Sequence, residues 1–171
     1  MKKTLIIVDV QHDFLEGGAL AVPGADKEYV KAVERIRPLF DQVILTADWH
    51  PADHVSFSVF PPHCVAGTHG AQLAVASGDL TLLKGQAKDS EEFSAFGSGK
   101  HVQSIEGDDV YVIGLAGDYC VKQTLFDLLE FAPQKRLFAI KDLIRSVDGT
   151  AYGPVDHFFG KVPFVTSSEL S

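Results

Sequence analysis

TLIIVD, at residues 4–9, is a short, continuously apolar and β-branched run that stops at an acid. A strand buried on both faces of a parallel sheet reads this way, whereas a half-exposed strand alternates. Outward from it the same grammar repeats. Pro23-Gly24 marks a turn and Asp26 can cap a helix in which Tyr29, Val30, Val33, Ile36 and Phe40 recur at spacings of three and four. QVILTA at 42–47 reads as a second strand, LTLL at 80–83 as a short third and DDVYVIGLA at 108–116 as a fourth. Asp118 stands where it can cap a helix from about Tyr119 to Phe131, with Val121, Leu125, Leu128 and Leu129 facing inward. KRLFAIK at 135–141 and VPFVT at 162–166 complete the set. Alternating strands and helices with right-handed crossovers predict an α/β fold, a three-layer, mainly parallel β-sheet with helices on both faces. No repeat, low-complexity tract or linker interrupts the pattern, so residues 1–171 read as a single domain.

Composition narrows the function. Hydrophobic residues make up 46% and charged residues 22%, which excludes disordered and fibrous classes. With 15 Lys plus Arg against 23 Asp plus Glu, the net charge of −8 argues against a nucleic-acid partner, whose binding is driven by counterion release. No apolar run approaches the ~20 residues of a membrane span. The opening Met1-Lys2-Lys3 and its apolar sequel stop at Asp9, short of the ~7–15 residue core of a signal peptide. The reading is a cytoplasmic protein, in which Cys64 and Cys120 remain thiols.

Ligands of parallel sheets bind at the carboxyl ends of the strands. Asp9 ends the first strand, Asp48 follows the second, Lys84 the third and Cys120 the fourth, so the fold should gather these four on one rim. After the second strand, DWHPADHVSFSVFPPHCVAGTHG at 48–70 shows little regular structure and holds His50, His54, His63 and His69. Loops of this length in compact domains are usually functional. Asp48 and His50 lie two apart, so in extended backbone both side chains point the same way. One carboxylate with up to three imidazoles suits zinc, iron or manganese, with positions left for water or substrate. An early helical position predicts a lowered thiol pKa for Cys120, and the turn's amides could stabilise an oxyanion. A nucleophilic thiol also needs a base to take its proton, and Asp9 and Lys84 are the candidates that the rim supplies. Cys64, with no helix start nearby, reads as packing, with a soft metal ligand as the lesser alternative.

Five segments carry a resemblance: IVDVQHDFLEGGAL (7–20), TADWHPADHVSF (46–57), FPPHCVAGTHGAQL (60–73), LLKGQ (82–86) and IGLAGDYCVKQT (113–124). In this order and spacing the chain resembles the nicotinamidase branch of the isochorismatase-like cysteine hydrolases, nearly end to end. The resemblance implies Cys120 as nucleophile, Asp9 as general base and then acid, and Lys84 as the third member of the set. It implies one divalent metal ion, zinc foremost, with iron or manganese as alternatives, held by Asp48, His50 and His63, with His54 ranked below them. The amides of Ala116 and Cys120 would form the oxyanion hole, with Leu115–Ala116 a candidate non-proline cis peptide. Phe14, Trp49, Phe60 and Tyr119 would line a slot for a flat ring, backed by Gln11 and Asp13. The implied reaction is hydrolysis of nicotinamide to nicotinic acid and ammonia through a thioester, in NAD salvage. The alternative is a related hydrolase acting on another small amide or carbamoyl group. Where the family usually runs an acidic turn into a helix, residues 146–161 carry Gly, Pro and three aromatics, which leaves substrate range and homo-oligomer formation open.

Overall fold

The computed structural model describes residues 1–149 and 161–170. Six strands, β1 (Lys3–Val8), β2 (Gln42–Asp48), β3 (Leu80–Lys84), β4 (Asp109–Leu115), β5 (Arg136–Arg145) and β6 (Phe164–Val165), form one sheet in the order β3-β2-β1-β4-β5-β6. Every neighbouring pair is parallel. The order reverses between β1 and β4, which is where doubly wound sheets open a crevice for ligands. Among the described residues no helix is long and apolar enough to cross a membrane.

Alternation along the strands divides the core in two. Leu5 and Ile7 pack with Val33, Ile36 and Leu45 on one face, under α1 (Lys27–Ile36). Ile6 and Val8 pack with Phe96, Val121, Leu125 and Leu128 on the other, under α2 (Lys122–Phe131). Because both faces are covered, β1 reads as an unbroken apolar run. The Asp26 carboxylate caps α1 by accepting the Tyr29 N–H at 2.9 Å, as its position predicts. Tyr29 then ties α1 to β5 by donating its hydroxyl to the Leu143 carbonyl.

The second helix departs from expectation. Asp118 does not cap it. Gly117–Val121 form a π-helical turn in which the Val121 N–H reaches back to the Ala116 carbonyl, and α2 starts only at Lys122. The Asp118 carboxylate instead accepts the Val147 and Asp148 N–H groups, each at 3.0 Å. β5 runs longer than predicted and β6 is two residues. Of the unusual stretch 146–161, only Ser146–Gly149 and Lys161 are described; the rest of that reading lies outside the described residues.

Candidate active site

Register brings the rim together. Asp48 on β2 pairs directly with Lys84 on β3, and β1 lies between β2 and β4, so Asp9 faces the start of the turn that carries Cys120. Gly114, at φ +127°, lets β4 approach β1: a Cβ there would lie 2.1 Å from the Val8 carbonyl oxygen. The next peptide bond but one, Leu115–Ala116, is cis. Asp9 adopts φ +52°, a left-handed conformation uncommon outside glycine, and receives the Thr46 hydroxyl at 2.7 Å.

The Lys84 ammonium is buried at the centre. It donates to Asp48 Oδ1 at 2.6 Å, to the Glu92 carbonyl at 3.3 Å and to Cys120 Sγ at 3.5 Å. Asp9 Oδ2 lies 2.8 Å away, close enough for an ion pair although the angle makes no hydrogen bond. Burial works against the ammonium, but Asp48, Asp9 and Cys120 outweigh it and hold its pKa well above the ordinary lysine value. Burial also opposes the Asp48 carboxylate, yet Lys84 and His50 keep it below the usual carboxylate range. The Asp9 carboxyl is pushed up by burial, with Lys84 pulling it back and Asp48 adding to the rise. Burial pushes the Cys120 thiol up as well, against the pull of Lys84. This reverses the expectation of a lowered thiol pKa: the early helical position acts on a side chain that is only 6% exposed, and desolvation wins. Cys120 lies beside Asp9, with burial favouring the neutral form of its thiol.

A second cluster adjoins the first. Asp48, His50 and His63 each offer a ligand atom, all within 4.8 Å of one another. His50 Nδ1 bonds the Gly85 carbonyl and His63 Nδ1 the Pro61 carbonyl, both at 2.8 Å. Each contact leaves Nε2 over, as when a backbone carbonyl orients a metal-binding histidine by its other ring nitrogen. His50 is wholly buried, and among the described residues its Nε2 makes no hydrogen bond, with Asp48 Oδ2 3.6 Å away, a costly arrangement unless something takes that lone pair. Gly85, at φ +66°, is needed for this contact, since a Cβ there would lie 2.4 Å from the His50 ring. The donor set fits a divalent cation such as zinc. His54 is buried and stacked on His50 with ring centroids 3.9 Å apart, but both its nitrogens are engaged, Nδ1 by Ser56 and Nε2 by the Ser90 carbonyl.

Phe14, Phe60 and Tyr119 line one cavity with His63, Ala116 and Cys120. Phe60 and Tyr119 meet edge to face at 5.5 Å. Trp49 does not line it; half-buried, it packs on the core beneath α1. The reason is the same alternation that puts Asp48 and His50 together, because the residue between them must face the other way. Gln11 clamps β1 to β2 by donating to the Asp48 carbonyl and accepting the Asp48 N–H. Asp13 accepts the N–H of Cys64, itself fully buried, and so steadies the turn beside His63. Glu91, Phe93 and Val147 also line the cavity and were not singled out in the sequence. A signal for the first two existed: they lie two apart in a non-helical segment close after Lys84.

Over residues 3–142 the chain matches the Isochorismatase domain family. A nicotinamidase of Acinetobacter baylyi is 33% identical over 156 residues, 72% of this chain and 72% of that one. Among solved structures, PnC1 of L. infantum in complex with nicotinate superposes with a TM-score of 0.89 at 30% identity, covering 99% of this chain and 95% of that one. The pyrazinamidase of Pyrococcus horikoshii in complex with zinc gives 0.85 at 26% identity, covering 97% and 99%.

Proposed function

The chain belongs to the isochorismatase domain family, and on that footing we propose that it hydrolyses nicotinamide to nicotinic acid and ammonia, a step of NAD salvage, with Cys120 as the nucleophile. The observation that carries the assignment to Cys120 is the meeting of thiol, carboxylate and ammonium at the switch point of the sheet, with Lys84 Nζ 3.5 Å from Sγ and 2.8 Å from Asp9.

Asp9 takes the thiol proton as Sγ attacks the carboxamide carbon, since burial favours the neutral thiol and a base is needed to release the nucleophile. Lys84 keeps Asp9 paired while the proton moves and steadies the charge that develops on sulfur. Ala116 and Cys120 offer backbone amides to the carbonyl oxygen as it gains charge. Asp9 returns its proton to the leaving nitrogen, ammonia departs, and a thioester to Cys120 remains. Water deprotonated by Asp9 then cleaves the thioester, releasing the acid and regenerating the thiol.

Asp48, His50 and His63 would hold a divalent cation, zinc being the best match to one carboxylate and two imidazoles. Bound there, it would anchor the pyridine nitrogen directly or through a water. Phe14, Phe60 and Tyr119 provide the apolar walls that keep the ring flat against His63. Fixing the ring in this way gives the thiol a large effective concentration of carboxamide.

The test is ammonia release from nicotinamide by the purified chain. Wild type should turn over, and Cys120→Ala should lose at least about 10⁴-fold in kcat while keeping its far-ultraviolet circular dichroism. Full turnover by the folded variant would exclude Cys120 as nucleophile.

A further inference from the structure

Residues 90–93 form a strap that contributes Glu91 and Phe93 to the cavity lining. The Ser90 carbonyl accepts from His54 Nε2 at 2.9 Å. The Glu92 carboxylate accepts the Gly85 N–H at 3.0 Å, and its own carbonyl accepts from Lys84 Nζ at 3.3 Å. With Glu92 tied to the end of β3, the residues on either side of it, Glu91 and Phe93, both line the cavity. Phe93 lies against Tyr119 with ring centroids 5.6 Å apart. Among the described residues the Glu91 carboxylate has no hydrogen-bond or ion-pair partner.

Glu91 does have neighbours. One of its carboxylate oxygens and a ring nitrogen from each of His50 and His54 all lie within 4.8 Å of one another. His50 is thus common to two clusters, one with Asp48 and His63 and one with Glu91 and His54. Among the described residues its buried Nε2 makes no hydrogen bond and lies 3.6 Å from Asp48 Oδ2, whereas both nitrogens of His54 are already engaged. Charge points the same way. The Asp48 carboxylate is already answered by the Lys84 ammonium at 2.6 Å, so a divalent cation held by Asp48, His50 and His63 alone would meet less than one full negative charge.

We propose that Glu91 supplies a second carboxylate to that cation centre, reaching the ion directly or through one of its waters. This rests on the reading that Asp48, His50 and His63 hold a divalent cation. His54 then acts as a positioning residue, stacked on His50 and holding the strap by its Ser90 carbonyl. The strap closes one wall of the ring slot and completes the charge of the ion site with adjacent residues.

The experiment measures zinc affinity by competition with a chromophoric chelator, on the full chain without an affinity tag, for wild type, Glu91→Gln and His50→Ala. The rate of iodoacetamide alkylation of Cys120 in the metal-stripped proteins serves as a check that the neighbouring thiol site is unaltered. Glu91→Gln should bind zinc at least about ten-fold more weakly than wild type, with the alkylation rate unchanged. Wild-type zinc affinity in Glu91→Gln, alongside its loss in His50→Ala, would overturn the role of Glu91 and leave the three-residue centre standing. Undiminished affinity in His50→Ala would overturn both.

Discussion

At Lys84 one buried ammonium answers two buried carboxylates, Asp9 and Asp48, and the thiol of Cys120. Removing one partner of such a set leaves uncompensated buried charge, which costs about 3–5 kcal/mol. Lys84→Met should therefore lower the unfolding free energy by that amount, read by urea denaturation in the presence of chelator. Adding Asp48→Asn should restore part of the loss, since it removes one of the stranded charges. An unchanged midpoint in the single variant would mean that the two carboxylates do not depend on Lys84. At this scale the sequence was informative for a physical reason: Asp9, Asp48, Lys84 and Cys120 all stand at strand ends, and a parallel sheet brings strand ends together. The direction of the Cys120 pKa was not legible, because position in a helix says nothing about burial and desolvation dominates there. Nor was the place of Trp49, although the alternation that aligns Asp48 with His50 already turned Trp49 away.

The turn after β4 shows what elements add. The π-helical turn at Gly117–Val121 sets the thiol at the cavity. Asp118, within that turn, accepts two consecutive N–H groups from the segment after β5, and Val147 of that segment lines the cavity. The clamp links the turn that carries Cys120 to the lining of the cavity. Asp118→Ala should release Val147 and raise KM for nicotinamide by about five-fold, equivalent to ~1 kcal/mol of lost hydrogen bonding, with kcat nearly unchanged. A KM equal to wild type would show that the clamp does not shape the slot. Strand and helix cores were readable from apolar periodicity, as with β1 and the stripe Tyr29, Val33 and Ile36. Contacts such as Asp118 with Val147 were not, because they join loops with no period. An aspartate one or two residues before a helical pattern reads as a cap until the chain that competes for it is seen.

Across the whole molecule, α1 is tied to β5 through Tyr29, whose buried hydroxyl donates to the Leu143 carbonyl at 2.8 Å. Burial drives its pKa above the ordinary tyrosine value, against a pull from Arg145, which lies 5.3 Å over the ring. The unfolded chain releases this proton near pH ~10 and the folded chain holds it to higher pH. Stability from the neutral phenol is thus complete below pH ~10 and drains away as pH rises beyond it. Thermal melts of wild type should fall more steeply above that pH than those of Tyr29→Phe, by up to about 1.4 kcal/mol per pH unit. Parallel curves for the two proteins would show that Tyr29 ionises in the native state as readily as in the unfolded one.

Asp48 and Lys84 are also direct cross-strand partners. In a strand, a shift of one residue sends every side chain to the opposite face. If β3 paired one step out with β2, it would carry the ammonium away from both acids and bury ionised groups alone, at several kcal/mol apiece. Apolar strands such as these have little in their side chains to tell one alignment from the next. Here the reactive groups supply the distinction, so the chemistry of the site also acts as a check on assembly, rejecting a sheet zipped out of step.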